Sequence, residues 1–382
     1  MSETIVERYL LLGLRLDRHV EGMVDAYYGP PELADRVAAE PLTDPADIAA
    51  AGDELLAELE DGWLRDQVVG VRTCAAFMAG GPGSYPDEVE LCYGIRPTHT
   101  HEAEFAAAHG ELDRLLPGDA SLAERYTEWR NSIVVPPERI ETTAARLIDE
   151  AREWTRSVVD LPDGEGIELE VVTDRPWLAF CEYSGGLRSQ ISINGDLPIS
   201  AFELLHVVCH ETYPGHHAER VCKDEVLVRG RGQLEETIVM VPTPQSLVSE
   251  GIAELGAELI MQSDGAARLT GVLSEAGIEL DLPHALAVWR AMEPCRWAEV
   301  NVALMLHEDG ASEDEARAYI QRWGLMTPDF SAHVIRFLSA PTSRTYVINY
   351  SAGRNLCRSF VNGDLSRFRQ LLTEQMRVGD LT

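Results

Sequence analysis

The chain has 382 residues, enough for one large domain or two ordinary ones, and its 45% hydrophobic and 25% charged residues are globular values. Its formal net charge is -32, and Lys223 is its single lysine. So acidic a balance argues against phosphate-rich partners, both nucleic acid and anionic membrane surfaces. The first residues, "MSETIVERYLLLGLRLDRHVEG", lack the basic and apolar regions of a signal peptide. No apolar run reaches the roughly 18 residues of a membrane span. Seven cysteines lie dispersed, without a CxxC pair, as reduced thiols of a cytoplasmic protein would.

In chain order, residues 3–26 place Ile5, Tyr9, Leu12, Leu16 and Val20 at helical spacing, which predicts one helix. The pattern continues from Pro45 to Gly80 and stops at "GGPGSYPDE". Further helices are predicted over 101–116, 119–132 and 137–159. The turn "DLPDGEGIE" then changes the pattern. The runs "IELEVVT", "PWLAFCEYS" and "SQISIN" are β-branched or aromatic and bounded by glycines, which predicts a small sheet near 167–194. From Ser200 onward the pattern is helical again, with breaks at "RGRGQ", "VPTPQS" and "SAPTS". The expected fold is mainly α with a small β-sheet. An N-terminal helical region (1–160) and a metal-site region (161–382) form either two units or one continuous domain.

The chemistry concentrates in "CHETYPGHHAE", Cys209 to Glu219. The helix before it starts on a capping box, Ser200 with Glu203. A zinc-protease helix offers two histidines one turn apart, with the glutamate after the first as general base. Here His210-Glu211 is followed by His216 and His217, which a straight helix would place about 9 and 10.5 Å further along its axis. Pro214 cannot bond the His210 carbonyl and clashes with it, and Gly215 permits unusual backbone angles. A bend there swings one of His216 and His217 back beside His210. The spacing leaves open which one.

The remaining ligand is expected from the helix of "TPQSLVSEGIAELGAELIMQ", where Glu250, Glu254 and Glu258 share one face. Glu254 and Glu258 read as a solvated stripe. Gly251, Ala253, Gly256 and Ala257 are small enough to admit a closely packed partner helix. His206, alone on an apolar helix, reads as a core histidine. The segment "THTHEAEFAAAH" carries His99, His101 and His109 without a paired acid or cysteine at ligand spacing, so no second metal site is expected there.

These residues resemble the domain-of-unknown-function 885 family, a zincin-like group presumed to be metal-dependent peptidases. H-E-x-x-P-G-H-H matches at His210, Glu211, Pro214, Gly215, His216 and His217, and E-G-x-A matches at Glu250, Gly251 and Ala253. "GGLRSQISIN" resembles the family's glycine-led strand ending in asparagine, here Asn194. "LHEDGASEDEA" and "YSAG" resemble two downstream motifs and place His307 with Gly310 and Tyr350 with Gly353. The match spans roughly residues 165–365. It departs from the family at Glu299, Ala303, Ala311 and Ile252, positions that bear on substrate specificity more than on metal binding.

The resemblance implies a zincin-like metallopeptidase architecture with zinc as cofactor. Its expected ligands are His210, Glu250 and either His216 or His217, with Glu211 as general base. His307 and Tyr350 would donate hydrogen bonds to a developing oxyanion. Asn194 and its strand would bind an extended peptide by strand addition, and Arg344 and Arg354 would hold a substrate carboxylate. The expected function is a zinc metallopeptidase acting on short peptides. The rivals are a metal-dependent hydrolase of a small amide metabolite and an inactive binding protein that keeps the fold. Retention of Glu211 speaks against the last, because a purely structural zinc site needs no free carboxylate beside it.

Overall fold

The computed structural model describes residues 3–175 and 177–382. Among the described residues the chain is mainly helical with two small sheets. Its strands are β1 (Val24–Tyr27), β2 (Gly166–Val172), β3 (Ala179–Tyr183), β4 (Arg188–Asn194) and β5 (Ile238–Met240). The expected sheet is β2-β4-β3, with β2 parallel and β3 antiparallel to β4. A second, unpredicted ribbon pairs β1 with β5 antiparallel.

That ribbon corrects the N-terminal expectation. The first helix, Ile5–Asp17, starts on a Thr4/Glu7 capping box and ends nine residues before Ala26. Asp17 stops it: its Oδ1 accepts from the Gly22 and Val24 amides at 3.1 and 2.9 Å, turning the chain into β1. Val20 still packs on the N-terminal core, but from a turn. The predicted segment from Pro45 to Gly80 is two helices, Pro45–Glu58 and Trp63–Met78. The three helices expected next are Glu102–Leu115, Leu122–Ser132 and Pro137–Arg156.

Core packing runs across residue 160. The main cluster joins Leu147, Ala151 and Trp154 to Leu204, Leu205, Val208, Val248, Ile252 and Leu255. A smaller cluster gathers the N-terminal helices around Ile238 and Met240 of β5. Among the described residues no helix is long and apolar enough to cross a membrane. All seven cysteines are buried and unpaired.

The helix Pro244–Met261 is the axis of the site, and it is buried on nearly every side. Its glycines permit this. A Cβ on Gly251 would lie 2.3 Å from the Gly353 carbonyl oxygen, so the segment Asn349–Gly353 can cross only because that side chain is absent. The crossing brings the tyrosines of 346–350 against Glu250. Glu254 and Glu258 are therefore not solvated, contrary to expectation. Both are buried: Glu254 takes two hydrogen bonds from Arg296, each 2.8 Å, and Glu258 pairs with Arg358. Burial of carboxylates is tolerated only with such partners, and both arginines come from segments distant in sequence.

Candidate metal centre

The helix Ala201–Glu211 ends where the sequence places Pro214, and a new helix, His216–Lys223, begins after Gly215. In between, the backbone widens: the Gly215 amide bonds the Cys209 carbonyl at 3.1 Å, and the Ala218 amide bonds the Thr212 carbonyl at 3.1 Å. A Cβ on Gly215 would sit 1.8 Å from the His210 carbonyl oxygen, so glycine is obligatory at the fold-back. The step sets the His210 and His216 rings 4.8 Å apart at 89°.

His210, His216 and Glu250 converge, each offering one ligand atom, with all three atoms within 4.8 Å of one another. His210 Nε2 lies 3.4 Å from Glu250 Oε2, and His216 Nε2 lies 3.4 Å from Glu250 Oε1. Tetrahedral zinc with bonds of about 2.0–2.2 Å separates its donors by about 3.4 Å. Glu250 Oε2 is buried without a hydrogen-bond partner, an orphan that a cation would satisfy. The donor set of two imidazoles and one carboxylate thus fits a divalent metal ion. Burial alone would raise the Glu250 pKa, but the flanking His216 and His210 outweigh it and hold the carboxyl well below its usual range. Burial also lowers His210. Glu250, Glu211 and Glu254 outweigh that and raise it to about 9.

Ser249 orients one of the ligands. Its hydroxyl lies 2.5 Å from Glu219 Oε2 and donates to it, because a carboxylate accepts only. The same oxygen, 3.2 Å from His216 Nδ1, therefore accepts a hydrogen bond from that nitrogen. His216 is thereby fixed as the Nδ1–H tautomer, with the Nε2 lone pair facing Glu250. This is the outer-shell arrangement that metal-ligating histidines require. Lys223 closes the chain of contacts, donating to Glu219 at 2.7 Å. The single lysine of the protein is thus a buried counter-ion to that carboxylate.

The three residues open onto a cleft of about 380 Å³. Glu211 lines it, and burial raises its pKa against the pull of His210 and His216. Tyr346 donates to Glu250 Oε1 at 2.6 Å. Tyr350 faces the same cleft, and its hydroxyl makes no hydrogen bond among the described residues. Ala179, Phe180 and Cys181 of β3 line it as well, together with Asp25 and Arg220.

Several expected site residues stand elsewhere. His217 is fully buried, and both its nitrogens are engaged: Nε2 donates to Glu165 at 3.1 Å, and Nδ1 accepts from Ser189 at 2.7 Å. It keeps no free lone pair and is outside the cluster, so the bend selects His216. His307 spends its Nε2–H on the Leu338 carbonyl at 2.6 Å, stacks against Tyr85 and does not line the cleft. Asn194 donates to the carbonyls of Arg175 and Trp177, which shapes a loop. Its strand, β4, is central, so both its edges are taken and strand addition there is closed. Arg344 pairs with Glu88, and Arg354 is buried against Glu293 and the Trp289 ring. Neither borders the cleft. His206 packs on Phe202 and Trp289, 3.6 Å from Glu254. His99 pairs with Asp309, and His109 bonds the Trp323 carbonyl.

Sequence reasoning missed Ser249, Tyr346, Arg220 and Asp25. Two had a readable signal: Arg220 follows His216 by one helical turn, and Tyr346 precedes Tyr350 by four. Asp25 had none, since it arrives on the unpredicted β1.

No protein-family model matches the chain, and no curated protein matches it. Among solved structures it resembles a candidate lipoprotein from Colwellia psychrerythraea, with a TM-score of 0.57 and 16% identity over 92% of this chain and 61% of that one. The chain thus spans less than two thirds of that protein's length. A candidate lipoprotein of unknown function from Shewanella oneidensis gives a TM-score of 0.54 and 12% identity, covering 100% of this chain and 73% of that one. Both likenesses concern the fold alone. A carboxypeptidase from Pyrococcus furiosus, at a TM-score of 0.44 and 12% identity over 100% of this chain and 94% of that one, is too distant to define it.

Proposed function

We propose that the chain is a zinc-dependent hydrolase of amide bonds, a zincin-like metallopeptidase acting on short peptides. The carrying observation is the convergence of His210, His216 and Glu250 in a cleft that Glu211 also lines. Membership of the domain-of-unknown-function 885 family is part of this reading, supported by the motif residues from His210 to His217 and from Glu250 to Ala253. The seven unpaired cysteines support a reducing, cytoplasmic setting. The charge of -32 keeps nucleic acid and anionic membranes from the list of partners.

His210, His216 and Glu250 would hold the ion, with Ser249 and Tyr346 fixing the ligand atoms. A bound zinc ion supplies Lewis acidity towards a carbonyl and lowers the pKa of a coordinated water. Glu211 accepts the proton of the attacking water and returns it to the leaving amine. Its buried position, which raises its pKa, suits a group that must both take and release a proton near neutrality. Tyr350, with an uncommitted hydroxyl at the cleft, donates to the developing oxyanion.

The volume of about 380 Å³ supports a short substrate over a folded one, and small amide metabolites fit the same space. Elemental analysis of protein purified without chelators tests the reading. It should give about one zinc per chain for wild type and none for Glu250→Ala. Glu211→Gln should keep the metal and lose cleavage of a short-peptide library. Absence of metal after zinc addition would end the proposal.

A further inference from the structure

Arg220 is the arginine that lines the cleft, and among the described residues most of its hydrogen-bonding capacity is unspent. It sits on the helix His216–Lys223, one turn beyond His216, and only 6% of it is exposed. Its Nη2 donates to Ser249 at 3.3 Å, while Asp25 at 3.9 Å is beyond hydrogen-bonding distance. Nε and Nη1 have no hydrogen-bond partner among the described residues, and the side chain lines the cleft. Glu219, its neighbour in sequence, is already committed to Lys223 and Ser249. Other arginines of this region lie closer to a carboxylate than Arg220 does to Asp25: Arg296 pairs with Glu254 at 2.8 Å, and Arg344, Arg354 and Arg358 pair with Glu88, Glu293 and Glu258, although Nε and Nη1 of Arg354 are buried without a partner. A guanidinium held out of bulk water with idle donors is costly unless a ligand completes its bonding.

We propose that Arg220 receives a free carboxylate of the substrate, so that the substrates are short peptides or N-acyl amino acids cut at the amide bond next to that carboxylate. This rests on the hydrolase reading above. A planar guanidinium fork matches a carboxylate through two parallel hydrogen bonds, whereas a neutral amide terminus offers one acceptor and no charge. The position sets the length. Ser249 Oγ touches both Arg220 Nη2 and His216 Nδ1, so the guanidinium is a single hydroxyl away from a ligand histidine. The two contacts, 3.3 and 3.2 Å, keep the guanidinium close to His216, and at about 3.8 Å per Cα step this favours a carboxylate only one or two residues from the carbonyl at the cluster. The sign of the field agrees. Asp25, Glu211 and Glu250 would repel an anionic substrate, and Arg220 is the side chain that reverses this locally.

The test measures binding, so it does not depend on turnover. Zinc-loaded full-length Glu211→Gln protein is titrated calorimetrically with acetyl-alanyl-alanine and with its C-terminal amide. The free acid should bind roughly ten- to hundredfold more tightly. Adding Arg220→Gln should abolish that preference with zinc content unchanged, and Arg220→Lys, which keeps the charge without the fork, should retain part of it. Equal binding of acid and amide by Glu211→Gln protein overturns the proposal, as does a preference that survives Arg220→Gln. If that variant fails to fold, an undiminished preference in Arg220→Lys overturns it instead. An acid preference in a chain whose wild type cleaves neither compound supports the Arg220 assignment and removes the hydrolase reading alone.

Discussion

Replacing Ser249 with alanine deletes a hydroxyl that touches three groups: Glu219 at 2.5 Å, His216 at 3.2 Å and Arg220 at 3.3 Å. The site is 2% exposed, so water cannot readily substitute. Leaving a buried partner unsatisfied costs about 1–3 kcal/mol of stability. The specific effect falls on His216, whose Nδ1–H loses its acceptor and whose ring loses its orientation. Outer-shell losses of this kind weaken metal binding about 10- to 100-fold, equal to about 1.4–2.8 kcal/mol. Ser189→Ala is the matched control. That hydroxyl is also 2% exposed and also bonds a histidine Nδ1, at 2.7 Å, but the histidine is His217. Denaturant titration should show both variants destabilised to a similar degree. Competition against a chromophoric chelator should show weakened zinc binding for Ser249→Ala only. A zinc Kd within threefold of wild type for Ser249→Ala, or an equal loss in both, would refute the assignment of His216 over His217.

Glu165 accepts hydrogen bonds from His217, Tyr213 and Arg152; burial pushes its pKa up, but these bonds outweigh it and lower it from 4.5 to about 2. A depressed folded-state pKa stabilises above the unfolded value, so about 3 kcal/mol present above pH 4.5 is lost as pH falls towards 2. The stability gap between wild type and Glu165→Gln, read by urea titration, should therefore shrink over that window; a constant gap contradicts the network. Gly251→Ala drives a methyl to 2.3 Å from the Gly353 carbonyl oxygen, and overpacking of this kind costs about 1–3 kcal/mol or more. Its thermal midpoint should drop, with zinc loading reduced because Glu250 and Tyr346 separate; unaltered loading would show the crossing to be dispensable. The tyrosines should divide by role. Tyr346→Phe, which removes the 2.6 Å bond to Glu250, should weaken zinc binding, whereas Tyr350→Phe should lower kcat by about 100-fold or more with zinc binding intact. Interchanged results would reassign the oxyanion donor.

Much of the local structure was legible before any tertiary contact. The Ser200/Glu203 capping box starts the helix that carries His210. Pro214 and Gly215 break it at the residues where the sequence places them. Small residues at Gly251 and Gly256 announce close packing, and the sheet over 166–194 follows from its β-branched runs. All of these depend on neighbours within a few residues, where backbone sterics and hydrogen-bond accounting decide. The convergence of His210 with Glu250 could be expected on chemical grounds but not placed.

The choice between His216 and His217 belonged to the tertiary structure. Adjacent residues on a helix point about 100° apart, and only the presence of Glu165 and Ser189 on one side and Ser249 on the other tells which ring faces the cleft. Glu254 and Glu258 looked solvated because a stripe of glutamates carries no record of Arg296 and Arg358, which arrive from 42 and 100 positions away. His307, Arg344 and Arg354 suit the site by residue type, yet they pair with Leu338, Glu88 and Glu293 and stand away from the cleft. Arg220 differs from them only in what surrounds it. Residue type and spacing set what a side chain can do, and the distant segments that meet it determine whether its donors, lone pairs and charge remain free to do it.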